Sequence, residues 1–323
     1  MRQIVVTEQG GPENLVLQEF EPAEPGPGQV RVGLAAAGVN FIDIYQRSGT
    51  YPMQTPFVSG SEGAGTVSAV GEGVTDVAVG DRVAWAMVPG TGYTESAILP
   101  AERVVPVPDG VDLELAAAAM LQGMTAHYLV TDTFPAADGH TALVHAAAGG
   151  VGLLLCQLLS AKGVRVIGTT STEEKAELAR AAGADEIIFY RDADVAAEVR
   201  RLTDGAGVDV VYDGIGKTTF DGSLDSLRPR GTMVLFGGAS GPVPPLDPQV
   251  LNAKGSLFLT RPSLAHYLLD RAELEERAAA VLGAVADGSL DIRVGQRYPL
   301  AEAARAQTDL ESGTTTGKLV LVP

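Results

Sequence analysis

The stretch Leu143-Val144-His145-Ala146-Ala147-Ala148-Gly149-Gly150-Val151-Gly152 has the composition of a phosphate cradle. The apolar run 141–145 predicts a buried strand, the small residues a tight turn, and 151–162 a helix that is apolar on nearly every face. Glycines let the backbone approach a pyrophosphate, and the helix N-terminus offers unpaired N–H groups and a partial positive charge. The turn fits G-x-G-x-x-G with Ala147 in the first glycine place, followed by Gly149 and Gly152. A small-residue turn that merely packs a helix on a sheet looks the same. The α/β alternation that follows favours the dinucleotide-binding interpretation.

The second strand of that alternation, 164–169, decides which dinucleotide. An NAD site places an Asp or Glu about 20 residues after the glycine turn, on the ribose 2′-hydroxyl. Here the strand end reads Thr169-Thr170-Ser171-Thr172, and Lys175 follows on the first turn of the next helix. Hydroxyls and a lysine suit a 2′-phosphate, which a carboxylate would repel, so the cofactor is expected to be NADPH. Taken singly, Thr172 reads equally well as a helix cap and Lys175 as a solvated lysine. The missing acid carries more weight than either.

The elements that must position these groups form two kinds of region. Residues 1–121 are rich in Gly, Pro and Val, with short alternating runs at 29–34, 65–70 and 81–85 that predict an irregular β-domain. Turns fall at Gly71-Glu72-Gly73 and Val79-Gly80-Asp81, and helical structure begins at Leu113. Over 122–261 strands and helices alternate. Strands at 186–189, 208–212, 232–236 and 256–260 follow the first two, and helices at 173–182, 193–203 and 217–227 lie between them. That order predicts a doubly wound parallel sheet of six strands. The tail, 262–323, holds helices at 273–287 and 301–311 and a strand at 318–322, and is expected to return to the first domain.

Composition narrows the class. The 323 residues are 46% hydrophobic, enough for two domains with substantial cores. No apolar run reaches the roughly 18–20 residues of a membrane span. The N-terminal residues read as a strand and lack a signal peptide's layout. The single Cys156 excludes an intrachain disulfide and reads as a buried apolar residue, so a soluble cytoplasmic protein is expected. A net charge of −17 disfavours nucleic acid and anionic membranes as partners. The four histidines, His127, His140, His145 and His266, show no metal-ligand spacing. His140 is expected on a loop and His145 beneath the glycine turn.

Across essentially its whole length the chain resembles the zinc-free quinone reductases of the medium-chain dehydrogenase/reductase superfamily, the zeta-crystallin-like NADPH:quinone oxidoreductases. The resemblance rests on Gly38-Val39-Asn40-Phe41-Ile42-Asp43, Tyr45, Arg47-Ser48-Gly49 with Tyr51-Pro52, and Gly80-Asp81-Arg82-Val83. It continues in Gly123-Met124-Thr125-Ala126, the glycine turn with Gln157, Tyr212-Asp213-Gly214-Ile215-Gly216 and Thr260-Arg261-Pro262-Ser263. It implies a GroES-like β-rich catalytic domain (1–121 and 262–323) around a Rossmann domain (122–261), with the active site in the cleft. It also implies a homodimer through the edge strand 256–260. Where the zinc-dependent branch carries Gly-His-Glu, this chain reads Gly60-Ser61-Glu62.

Without a metal, oxidation of a simple alcohol is poorly served, whereas an electron-poor quinone or enone needs only alignment and stabilisation of the developing oxygen anion. The resemblance places Asn40, Asp43 and Tyr45, on a loop reaching Tyr51, at the nicotinamide and substrate end. Asn40 would orient the cofactor or bind a substrate oxygen, and Tyr45 or Tyr51 would donate to the anion. The alternatives are a packed corner at Tyr51-Pro52 and a local cap at Asp43. For the cofactor, the resemblance implies Thr125 and Tyr128 near the nicotinamide and Gly149, Gly150, Val151 and Gly152 at the pyrophosphate. Thr170, Ser171, Lys175 and Tyr190 would flank the adenosine phosphate. Gly214, Phe236, Gly237 and Ala239, which follow strands, Arg261 after the sixth strand and Lys318 at the start of the last strand would also contact the cofactor. Arg261 reads alternatively as a salt-bridging residue and Lys318 as a surface lysine. Quinone reduction leads, with reduction of α,β-unsaturated aldehydes or ketones as the alternative. A structural or RNA-binding role is the third possibility, and the acidic charge disfavours RNA.

Overall fold

A computed structural model describes residues 1–323. The chain divides into two compact units, Met1–Met124 with Tyr267–Pro323, and Thr125–His266.

The first unit opens with β1 (Arg2–Val6), β2 (Leu15–Glu19) and β3 (Gln29–Val39), followed by helix α1 (Phe41–Ser48). Strands β4 (Phe57–Val58), β5 (Glu62–Val70), β6 (Arg82–Ala86), β7 (Ser96–Pro100) and β8 (Val105–Pro106) come next. Helix α2 (Leu113–Tyr128) then carries the chain onward. A three-stranded sheet has the order β2-β1-β4. Strand β3 is the spine of the larger sheet, pairing antiparallel with β5 and with β7. Trp85, the only tryptophan, is fully buried in the core this sheet forms with Val30, Val32, Val67 and Leu99.

The Rossmann unit contains β9 (Thr141–Val144), α3 (Gly150–Ala161), β10 (Arg165–Thr170), α4 (Glu173–Ala181) and β11 (Glu186–Phe189). It continues with α5 (Val195–Leu202), β12 (Val208–Asp213), α6 (Phe220–Ser226), β13 (Leu227–Leu235), α7 (Gln249–Ala253) and β14 (Phe258–Thr260). All six strands are parallel, in the order β11-β10-β9-β12-β13-β14. This is the doubly wound order, whose reversal between β9 and β12 opens a crevice at the strands' carboxyl ends. Strands covered by helices on both faces read as near-continuous apolar runs, as β9 does through Ala142, Leu143 and Val144.

The tail adds α8 (Arg271–Asp287), β15 (Val294–Pro299), α9 (Ala303–Glu311) and β16 (Lys318–Val322) to the first unit. Strand β16 pairs antiparallel with β3, setting Leu319 against Val39 and Val320 against Gly38.

Strands β2 and β15 and helix α7 are not among the sequence-based expectations, and one element near the predicted site differs from them. Residues 40–51, read as a loop, contain the eight-residue helix α1. The backbone N–H of Asn40 donates to Asp43 Oδ2 (3.0 Å), which anchors the first turn. Gly49, at φ 84°, ends the helix in the left-handed conformation that glycine adopts without strain. No helix of the structure is long and apolar enough to cross a membrane.

Candidate functional site

In the Rossmann unit the glycine turn joins β9 to α3. Gly149 precedes the helix in extended conformation and contributes no side-chain cap, so the first N–H groups of α3, from Gly150, Val151 and Gly152, lack a capping side chain. A Cβ at Gly152 would overlap the Ala146 carbonyl and lie 2.9 Å from Ala147 Cα. Glycine is what lets the helix sit on the turn. Ala147, in the first glycine place, is accommodated from the other side: a Cβ at Gly168 of β10 would lie 2.8 Å from the Ala147 methyl.

Beneath the turn lies a buried polar chain that the sequence signalled only in part. His145 is buried, as expected, with Nδ1 3.2 Å from Thr169 Oγ1 and Nε2 3.0 Å from Ser223 Oγ. Ser223 Oγ donates to Asp213 Oδ2 (2.8 Å), so its lone pair accepts from Nε2–H. Nδ1 is then the acceptor, and Thr169 donates to it while accepting from Ala146 N (3.3 Å). Asp213 also receives Thr219 Oγ1 (2.7 Å) and the N–H groups of Ile215 (2.8 Å) and Gly216 (3.0 Å). Burial holds the His145 pKa below its ordinary value, with Asp213 opposing, and keeps the imidazole neutral.

The end of β10 has the character a 2′-phosphate requires. Thr170 Oγ1 is buried and has no hydrogen-bond partner. Ser171 and Lys175 are half-buried, and Thr172 Oγ1 caps α4 by accepting from Lys175 N (3.4 Å). Burial lowers the Lys175 pKa, and the charge of nearby Arg191 lowers it further. Two cations this close suit an anion of more than one charge. Arg191 was not anticipated, although it adjoins Tyr190, whose N–H donates to Thr170 O (3.2 Å). Tyr190 is half exposed.

After β12 and β13 the backbone is packed closely. A Cβ at Gly214 would lie 2.9 Å from the Phe236 ring, and one at Gly237 would lie 2.8 Å from Gly214 Cα. Ala239 N donates to Gly214 O (3.1 Å), which ties the two loops together. Thr125 and Tyr128 are buried on the last turn of α2, whereas Arg261 is exposed and donates to Pro262 O (3.3 Å).

In the other unit, α1 groups Asn40, Asp43, Tyr45 and, just beyond, Tyr51. The Tyr45 and Tyr51 rings meet edge to face with centroids 5.2 Å apart, and Tyr51 N donates to Tyr45 O (2.9 Å). Tyr51 is exposed and Tyr45 half-buried. Asn40 and Asp43 are turned inward and buried. Asn40 Nδ2 donates to Glu62 Oε1 (2.8 Å), and its Oδ1 accepts from Lys318 Nζ (2.7 Å). Its amide is thus engaged by two protein side chains. Lys318 is not the surface lysine of the alternative reading. It is 1% exposed and ion-paired with Glu62.

Asp43 Oδ2 accepts from Asn40 N and from Tyr93 OH (3.1 Å), and Gln307 Nε2 reaches the same hydroxyl (3.4 Å). Asp43 Oδ1 has no partner. Burial is the largest cause pushing the Asp43 pKa up to about 7, with the Glu62 carboxylate adding to it and Lys318 opposing. Burial and the neighbouring Asp43 likewise raise Tyr93.

Two family models match the chain, "Alcohol dehydrogenase GroES-like domain" over residues 26–109 and "Zinc-binding dehydrogenase" over 150–282. The donor set does not suit the metal in the second description. No three His, Cys, Asp or Glu side chains are grouped as ligands, Ser61 precedes Glu62, and Glu62 is taken up by Lys318. Among curated proteins, the chain is 50% identical to a quinone oxidoreductase of Pseudomonas aeruginosa, covering 97% of each chain. It is 44% identical to a 2-haloacrylate reductase of a Burkholderia species, covering 99% of this chain and 98% of that one. Among solved structures, the quinone oxidoreductase of Escherichia coli complexed with NADPH superposes over 100% of both chains, with a TM-score of 0.98 and 42% identity. With identity of this order over its full length, the chain belongs to the zeta-crystallin-like quinone oxidoreductase family of the medium-chain dehydrogenase/reductase superfamily.

Proposed function

We propose that the protein reduces quinones with NADPH by hydride transfer and without a metal. The observation that carries the cofactor choice is the end of β10, where the buried Thr170 hydroxyl lacks a partner and Lys175 lies near Arg191. The substrate class follows from the full-length likeness to quinone oxidoreductases. NADPH supplies a hydride, which carries two electrons, and becomes NADP⁺; with one proton the hydride converts a quinone to the hydroquinone.

The chain's own groups bind, align and stabilise. The α3 N-terminus, with Gly149, Gly150, Val151 and Gly152, receives the pyrophosphate. Thr170, Ser171 and Lys175 hold the 2′-phosphate, and Tyr190 flanks the adenosine. Thr125 and Tyr128 attend the nicotinamide, and the backbone at Gly214, Phe236, Gly237 and Ala239 lines the cofactor, with Arg261 at its rim. Tyr45 or Tyr51 donates to an oxygen that gains negative charge as hydride arrives. Buried Asp43 and Asn40 act through the helix that carries the tyrosines.

A second reading, reduction of an activated alkene, is favoured by the likeness to the 2-haloacrylate reductase. Both use the same hydride chemistry and differ in the acceptor. Initial rates of NADPH and NADH oxidation with 1,4-benzoquinone and with a 2-alkenal, side by side, separate them. Rapid NADPH oxidation with the quinone is expected. A preference for the alkenal moves the function to alkene reduction, and a preference for NADH overturns the role given to β10.

The edge strand β14 pairs only with β13 and exposes Phe258, which is 61% accessible. A second copy pairing along residues 256–260 would cover it. Light scattering of wild type and Phe258→Lys tests the homodimer. A wild-type monomer overturns it. The single buried Cys156 requires no oxidising compartment, in keeping with a cytoplasmic protein.

A further inference from the structure

Asn40 precedes the first residue of α1, and two strands distant in sequence grip its side chain, one of them tied in turn to α2. Lys318, on β16, donates to Asn40 Oδ1 and is ion-paired with Glu62, the first residue of β5. Glu62 Oε1 accepts from Asn40 Nδ2, and its Oε2 accepts from Leu121 N of α2 (2.6 Å). All three side chains are at most 3% exposed. An ammonium only donates and a carboxylate only accepts, so the amide has one permitted orientation, with oxygen toward Lys318 and nitrogen toward Glu62. Gly38, two residues before Asn40, makes the space. A Cβ there would overlap Glu62 Oε1 and lie 2.5 Å from Lys318 Cε.

We propose that Lys318 and Glu62 are a positioning pair: through the Asn40 amide they fix where α1 starts, and so where Tyr45 and Tyr51 stand, without touching substrate or cofactor. Lys318 is accordingly a residue of the helix anchor and not of the cofactor site. The burial of an ion pair favours this role. A charged pair held away from water contributes little net stability compared with apolar residues of the same size, but it accepts few geometries. Its products are direction and register at the first turn of α1. Tyr45 lies five positions along from Asn40, so the helix transmits an error in that turn to Tyr45, and Tyr51 follows through its backbone bond and ring contact to Tyr45.

This inference rests on the proposed reductase activity, and its test keeps the two apart. Lys318→Met is compared with wild type for benzoquinone kcat and KM, for the NADPH dissociation constant, and for hydrogen exchange of amides 41–48 in the ligand-free protein. Expected are a fall in kcat of roughly 100-fold, an NADPH dissociation constant within about threefold of wild type, and faster exchange in α1 by on the order of tenfold. If Lys318→Met fails to fold, the neutral double variant Glu62→Gln with Lys318→Met is used. It is expected to fold, to exchange faster than wild type in α1, and to show a lowered kcat with near-normal NADPH binding. Weakened NADPH binding with unchanged exchange in α1, for either variant, overturns the proposal, and so does wild-type kcat in a folded variant. Absence of quinone turnover by the wild-type protein would count against the reductase activity alone, because exchange in α1 still reports on the anchor.

Discussion

Asp213 of the Rossmann unit receives four neutral donors, two hydroxyls and two backbone N–H groups, and both its oxygens are used. Glu62 and Asp43 of the other unit are satisfied differently. Glu62 relies on the Lys318 ammonium, and Asp43 keeps one bare oxygen. Bare buried atoms also occur nearby on facing helices. Arg47 of α1 pairs with Glu311 of α9 through Nη2 while its Nε and Nη1 lack partners, and Gln307 Oε1 lacks one too. The Asp213 carboxylate beneath the glycine turn is thus saturated by neutral donors. The helix bearing Tyr45 is held by opposed charges that balance only while every member is present. A binding site for an invariant ligand tolerates the first plan, and a segment that must be aimed uses the second.

Removing one charge is the severest way to test this contrast. Glu62→Ala strands the Lys318 ammonium in the interior and should cost about 3–5 kcal/mol. Urea unfolding followed by the fluorescence of Trp85, which lies in the same unit, measures it. Asp213→Asn leaves most donors with an acceptor and should cost less, about 1–3 kcal/mol. Equal losses would mean that the two networks do not differ in kind.

A smaller effect is expected where the Rossmann unit meets a charge of its own. Lys175→Ala should lower the NADPH-to-NADH selectivity about tenfold, or ~1.4 kcal/mol, as read from the ratio of the two kcat/KM values. An unchanged ratio removes Lys175 from the 2′-phosphate site.

The gentlest test is pH, where the units should respond with opposite sign, each by at most about 1.4 kcal/mol per pH unit. Asp43 titrates at about 7 in the folded protein against an ordinary 3.8. Between those values the unfolded chain has released a proton that the folded chain retains, so rising pH destabilises the first unit. His145 is depressed from 6.5. Below that value the unfolded chain takes up a proton that the buried imidazole refuses, so falling pH destabilises the Rossmann unit. Hydrogen exchange of core amides in each unit, measured from pH 5 to 8 after correction for intrinsic rates, checks both signs. Asp43→Asn should abolish only the first slope.

Local signals explain what was legible in the sequence. The six parallel strands and the glycine turn announce themselves through apolar runs and small residues within a few positions of each other, and the doubly wound parallel sheet follows from the alternation. Helix α1 carries local signals too, but they are weak. Asn40 with Asp43 three positions on, and Gly49 after Ser48, are start and stop signals, but eight residues carry too little periodicity to outweigh the neighbouring turns. The anchoring pair was not legible. Glu62 and Lys318 are 256 residues apart, and neither has a local pattern that distinguishes a buried charge from a solvated one. The same holds for Ser223 beneath the glycine turn, 78 residues from the histidine it meets.

The distance between Asn40 and Lys318, 278 residues, has a consequence for biosynthesis. Residues 125–266 are continuous in the chain, and the ribosome delivers them before β16 exists. Domains fold largely as units in the order they emerge. The nucleotide-binding half is therefore complete while Glu62 still waits for its counter-ion, and the start of α1 is among the last parts of the nascent protein to be locked. A stalled or prematurely terminated chain would hold a finished cradle and an unaimed pair of phenols, able to capture its cofactor before it is able to use it.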